Sequence, residues 1–129
     1  MTALLLDAHA VLWWIGDDRR LSSAARRAIA SIDTTRLFSV AAAWELTIKR
    51  SLGKLRLPLA VGPFLERQLP ANGIDLLPIV LRDLTRVEAL PFHHRDPFDR
   101  LMAAQALERD LTIVSADPVF ERYGVNRIW

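Results

Sequence analysis

The chain has 129 residues, half of them hydrophobic and a quarter charged, with 17 Lys and Arg against 15 Asp and Glu. That length suits one domain with a core of its own, residues 1–129, needing no disulfide or structural metal. The absence of cysteine excludes a disulfide scaffold and any cysteine–zinc site. Apolar runs are only a few residues long, too short for a membrane helix. Asp7 interrupts the first of them and no basic residue precedes Arg19, so neither a membrane span nor a secretory leader is expected and the expected location is cytoplasmic. The net charge is only +2, although fifteen of the seventeen bases are arginine. That balance permits a nucleic-acid partner without indicating one.

In chain order, residues 3–6 are a short apolar run ending at Asp7, as a buried strand would. Residues 11–15 are apolar again. A helix is predicted from Ser22 or Ser23 through Ile32, with a serine as its cap. Residues 36–39 read as a second strand. Residues 40–52 read as a helix with Ala41, Trp44, Ile48 and Leu52 on one face and Gly53 as its stop. A short helix is predicted over 63–69, a strand over 74–80 with Pro78 near its end, and a helix over 81–90 closed by Pro91. Then come a helix over 97–109, a strand over 111–115, a turn and short helix over 117–123 and a closing strand over 125–129. Strands alternating with helices predict an α/β fold: three layers, α/β/α, around a mostly parallel sheet of four to five strands.

Four acids occupy unusual places. Asp7 ends the first strand, and Asp117 follows a late one. In a parallel α/β sheet, strand ends share one edge where ligands bind. Glu45 falls inside an apolar helical stretch, and Asp99 lies in the first turn of a helix opening on the same edge. Carboxylates gathered there repel one another, and a hard divalent cation relieves that repulsion. With no cysteine and three histidines, a soft-metal site is not expected. Taken singly, each acid has another reading. Asp7 suits an Asx turn or a helix cap, and Asp117 a cap with Pro118 behind it. Glu45 precedes Lys49 by four residues, the spacing of a helix-surface ion pair. Asp96-Pro97-Phe98-Asp99 is a helix start, with Asp96 as cap and Asp99 near the dipole.

The runs Leu4-Leu5-Leu6-Asp7-Ala8-His9, Ala43-Trp44-Glu45-Leu46-Thr47-Ile48-Lys49, His94-Arg95-Asp96-Pro97-Phe98-Asp99-Arg100-Leu101-Met102 and Val114-Ser115-Ala116-Asp117 together resemble PIN-domain toxins of the VapC type. The resemblance covers essentially the whole chain and implies a PIN fold. It further implies a Mg²⁺- or Mn²⁺-dependent endoribonuclease, the toxin of a type II toxin–antitoxin pair. Such toxins form homodimers, are neutralised by a small VapB-type antitoxin and reach DNA only through it. Carried over residue by residue, the site falls on Asp7, Glu45, Asp99 and Asp117. Asp7 and Asp99 would hold the metal, with Glu45 and Asp117 bound directly or through water. Metal-activated water would then cut RNA to 5′-phosphate and 3′-hydroxyl ends. Lys49, Arg50, Arg95 and Arg100 flank these acids and are candidates to hold the RNA backbone, and Asp96 is a cap with a possible supporting role. Two positions depart from the family pattern: Ala8 where Thr is common, and Ala42 where Ser is often found. Their missing hydroxyls bear on metal affinity.

Rival readings are weaker on particular residues. A haloacid-dehalogenase phosphatase needs a second Asp where His9 stands, and a receiver domain needs paired acids at the first strand. A histidine acid–base ribonuclease would rest on His93 and His94, whose side chains should point apart. His9 is expected to be a packing or hydrogen-bonding residue, and Trp13, Trp14 and Trp44 are expected to fill core or dimer contacts. A PIN scaffold that only binds partners is disfavoured by the intact acids. If the four acids share a pocket, the rest of the chain holds eleven acids against seventeen bases, a surplus that could steer RNA.

Overall fold

Leu4, Leu5 and Leu6 are each no more than 1% exposed, so the first strand, β1 (Thr2–Leu6), is covered on both faces. That is where an uninterrupted apolar run belongs in a parallel sheet. The computed structural model describes residues 2–129. The chain continues through α1 (Ala8–Ile15), α2 (Ser23–Ala30), β2 (Thr34–Ser39), α3 (Val40–Ser51), α4 (Val61–Ala71), β3 (Ile74–Leu77) and α5 (Leu81–Ala89). It closes with α6 (Pro97–Arg109), β4 (Thr112–Val114), α7 (Val119–Arg122) and β5 (Arg127–Ile128). The strands form one sheet in the order β3-β2-β1-β4-β5, and every pairing is parallel. The expected α/β class with a central sheet flanked by helices is therefore present, with five strands and no antiparallel member.

The strand order sets the position of the site. From β1 the chain first builds outward through β2 and β3, then returns to lay β4 on the other side of β1. The C-terminal ends of β1 and β4 therefore flank a topological switch point, the place where open α/β sheets bind ligands. The Asp7 N–H donates to the Val114 carbonyl at 3.1 Å and ties the two strand ends together. Helix α3 packs against α1, α4 and α6, and α6 against α5, whereas α2 packs on β2 and β5. Residues 100–106 of α6 are buried consecutively, four of the seven being alanine or glutamine. Such a helix is covered all round, and its small side chains let neighbours approach closely. No helix among the described residues is long and apolar enough to cross a membrane.

Several boundaries differ from the sequence expectation for identifiable reasons. Residues 11–15 belong to α1, which starts one residue after Asp7 with that aspartate as its N-cap. Helix α2 stops at Ala30, so Ile32 is not on its apolar face and is 93% exposed. β3 ends at Leu77 because Pro78 has no N–H to continue the ladder. Helix α4 begins at Val61 and tolerates Pro63 in its first turn, where an N–H has no intrahelical acceptor. The buried face of α3 is Ala41, Ala42 and Leu46, not the expected one through Trp44 and Leu52, which are 58% and 63% exposed. Two alanines allow α3 to approach closely, and this rotation turns Glu45 inward and Trp44 outward. Trp44 meets Phe98 edge-on at 5.2 Å instead of entering the core.

Arg100 corrects another expectation. It is buried, and its guanidinium donates to the carbonyls of Val87, Leu90 and Pro91 at 2.8–3.3 Å and to the Tyr123 hydroxyl at 3.3 Å. It satisfies the exposed carbonyls at the α5 C-terminus, so it is not available to an RNA backbone. Arg100→Lys keeps the charge but loses the planar fork. We expect it to lower the melting temperature by several degrees, about 1–2 kcal/mol for hydrogen bonds to a charged group. Cation affinity, measured by titration, should stay unchanged.

Candidate metal centre

Asp7, Glu45, Asp99 and Asp117 line one cavity of about 130 Å³, together with Ala8, His9, Met102 and Ser115. They come from four separated segments: the end of β1, the inward face of α3, the first turn of α6 and the loop after β4. Convergence of the four, expected from strand order, is what the structure shows.

Each carboxylate is held by local backbone geometry. Asp7 Oδ1 accepts the Ala10 N–H at 2.8 Å, so the cap and the cavity wall are one residue. Burial raises its pKa above the ordinary aspartate value, against the Ser115 hydroxyl and the Ala10 N–H, which favour the charged form. Ser115 thus supplies beside Asp7 a hydroxyl of the kind that Ala8 lacks. Ser115 Oγ also accepts the Asp117 N–H at 3.1 Å, and Asp117 Oδ1 accepts the Val119 N–H at 2.9 Å. Asp117 therefore both shapes the turn into α7 and faces the cavity. Glu45 makes the expected pair with Lys49, 3.0 Å from Oε2 to Nζ, yet its side chain is only 15% exposed. It is thus at once the partner of Lys49 and part of the cavity wall.

Asp99 is the most perturbed group. Burial is the largest cause, followed by the negative charges of Asp96 and Glu45, and together they push its pKa up to about 7 against the opposing effect of His94. Asp96 is the helix cap the sequence suggested, accepting the Phe98 and Asp99 N–H groups at 2.8 and 3.0 Å through one oxygen. It therefore positions Asp99 and opposes its ionisation. A carboxyl carrying its proton near neutrality is the signature of negative charge crowded into a half-buried space. A divalent cation is the group that such a donor set fits, since it accepts oxygen ligands and offsets the repulsion.

His94, which the sequence offered only as a weak acid–base candidate, stands beside these acids. Its Nε2 lies 3.0 Å from Asp99 Oδ2, and the ligand atoms of His94, Asp99 and Asp117 all lie within 4.8 Å of one another. The adjacent histidines do point apart: His93 packs edge-on against Tyr123 at 5.0 Å. His9 stacks on Trp13 at 5.1 Å, and Trp13 in turn meets Trp129 at 5.7 Å. The signal for His94 is weak in a bare sequence, because nothing in its spacing to Asp99 corresponds to a helix or strand period. Of the flanking cations, Arg50 and Arg95 are exposed and Lys49 is engaged by Glu45.

The PIN domain family matches residues 4–126. A Mycobacterium tuberculosis protein named Ribonuclease VapC22 is 33% identical over 119 residues, spanning 91% of this chain and 88% of that one. Among solved structures, VapBC2 from Rickettsia felis bound to a promoter DNA fragment superposes with a TM-score of 0.71 at 13% identity, covering 98% of this chain and 97% of the other. FitAcB from Neisseria gonorrhoeae gives 0.64 at 18% identity, covering 96% and 95%. With the acids converging at the switch point of a five-stranded parallel sheet and the family matching nearly end to end, this chain belongs to the PIN-domain family.

Proposed function

We propose that the chain is the toxin of a type II toxin–antitoxin pair, an endoribonuclease dependent on Mg²⁺ or Mn²⁺. The observation that carries this reading is the meeting of Asp7, Glu45, Asp99 and Asp117 in one cavity with the Asp99 pKa near 7. The ribonuclease named in the VapC22 relative and the VapBC assemblies among the structural neighbours support it. By the same likeness the chain acts as a homodimer and is neutralised by a small VapB-type antitoxin, through which any DNA contact is made.

Asp7 and Asp99 would hold the ion, with Glu45 and Asp117 completing the site directly or through water. A divalent ion there supplies Lewis acidity, offsetting charge on a phosphodiester and lowering the pKa of water. The protein's own share is positioning. Caps at Asp7 and Asp96, the Ser115 hydroxyl and the Lys49 contact fix the carboxylates before substrate arrives. Arg50 and Arg95 offer exposed guanidinium groups to the RNA backbone.

Digestion of RNA with and without excess EDTA, followed by end analysis, tests the reading. We expect cleavage only with the metal, leaving 5′-phosphate and 3′-hydroxyl ends. Full activity in EDTA, or a 2′,3′-cyclic phosphate product, would overturn it.

A further inference from the structure

We infer that His94 is a nitrogen ligand of the acidic centre and biases it toward Mn²⁺ over Mg²⁺. This rests on the reading of the site as a divalent-metal centre and specifies which cation it is built for.

The argument is geometric. Ligand atoms about 2.1 Å from one octahedral ion lie roughly 3 Å apart when adjacent and about 4.2 Å apart when opposite. His94 Nε2 and Asp99 Oδ2 are 3.0 Å apart, and with the Asp117 carboxylate all three ligand atoms fall within 4.8 Å. His94 and Asp99 already have the spacing of two adjacent corners of one coordination shell, and the Asp117 carboxylate is near enough to join them after a small side-chain shift. The histidine is held there. Its backbone N–H donates to the Tyr123 hydroxyl at 3.0 Å, and Tyr123 is buried and also accepts from Arg100. A loop anchored at its backbone holds the imidazole beside Asp99 without help from an ion.

The chemistry follows from the donor. Mg²⁺ binds oxygen and keeps much of its water, whereas Mn²⁺ binds nearly the same oxygen set but accepts imidazole more readily. An all-carboxylate site would separate the two ions poorly. One imidazole in the shell favours the softer ion. A lone hydrogen bond between His94 and Asp99, with no role toward a metal, predicts no such preference.

Binding measurements on the full-length chain, stripped of metal, decide between these. Free Mn²⁺ is followed by its electron paramagnetic resonance signal, with Mg²⁺ as competitor, for the wild type and His94→Ala. We expect wild type to prefer Mn²⁺ by at least about tenfold, and His94→Ala to lose about tenfold or more in Mn²⁺ affinity with little change for Mg²⁺. Pulsed resonance of the Mn²⁺-loaded wild type should show coupling to a histidine nitrogen, and this readout needs no variant to fold. Absence of that coupling, or unchanged Mn²⁺ affinity in a folded His94→Ala, overturns the inference while leaving a metal-dependent nuclease intact. Wild type that binds neither cation overturns both.

Discussion

Asp99→Asn is expected to reduce RNA cleavage by at least about 10³-fold and, in the metal-free protein at pH 8, to raise the melting temperature. The first effect follows from removing one of the carboxylates proposed to hold the metal. The second follows from the pKa. Asp99 titrates at about 7 when folded against an ordinary value of 3.8, because it is buried beside Asp96 and Glu45. Below pH 4 both states hold the proton and the group is neutral to stability. Between about pH 4 and 7 the unfolded chain releases it first, so folding is progressively penalised as pH rises. Three pKa units would be worth about 4 kcal/mol, and the side chain's 18% exposure reduces that to about 1–3 kcal/mol. Asn removes the penalty. It also gives up the favourable charge near the α6 N-terminus, but that is only about 0.3–1 kcal/mol. The gain wins, and at pH 8 the variant should melt several degrees above wild type. Thermal scans from pH 4 to 8 in EDTA check this. Wild type should lose stability across the range more steeply than the variant. A variant that melts lower at pH 8, or still cuts RNA, contradicts the assignment.

Asp83→Ala should cost about 3 kcal/mol in urea unfolding without altering cation affinity. Asp83 is completely buried in α5, an unusual place for a carboxylate. Burial alone would raise its pKa. The Arg109 guanidinium, which donates to both of its oxygens at 2.7 and 3.2 Å, outweighs that together with the Val80 N–H at 3.0 Å and Gln105, and holds the group below the usual carboxylate value. Gln105 continues the network, donating to the Pro78 carbonyl and accepting from the Ser39 hydroxyl, which also caps α3. Truncating one partner of a buried pair costs about 3–5 kcal/mol. Arg109 remains 21% exposed and can rehydrate in part, which favours the lower figure. Asp83→Asn keeps an acceptor for Val80 and should cost less. Since the folded pKa is depressed, the wild-type advantage is full above about pH 4 and fades as pH falls through the folded value. A loss under 1 kcal/mol for Asp83→Ala would mean that the network stabilises little.

Reading the sequence locates the sheet edge and its acids because both follow from local rules. A leucine run stopped by aspartate and a helix beginning Asp-Pro-Phe-Asp carry their own start and stop signals. Asp7 illustrates why alternative readings need not compete: its oxygen caps α1 and the residue still lines the cavity. What escapes is decided by packing at long range. Spacing on α3 fits two faces equally well, and only close approach at Ala41 and Ala42 selects the one that buries Glu45. Arg100 looks like one more surface cation until α5 brings its last carbonyls to it. His94 gains meaning from Asp99 and Asp117, the latter on a different segment.

The pairing of β1 with β4 also governs when this molecule can become active during its own synthesis. The partner of β1, β4, is made more than a hundred residues after it. Asp117 emerges only after that. A ribosome-bound or prematurely terminated chain ending before Thr112 has β1 open along one edge and lacks a wall of the cavity. Hydrolytic capacity is thus withheld until the segment carrying Asp117 has been made. If the chain is a toxin, incomplete translation products should not inherit its toxicity.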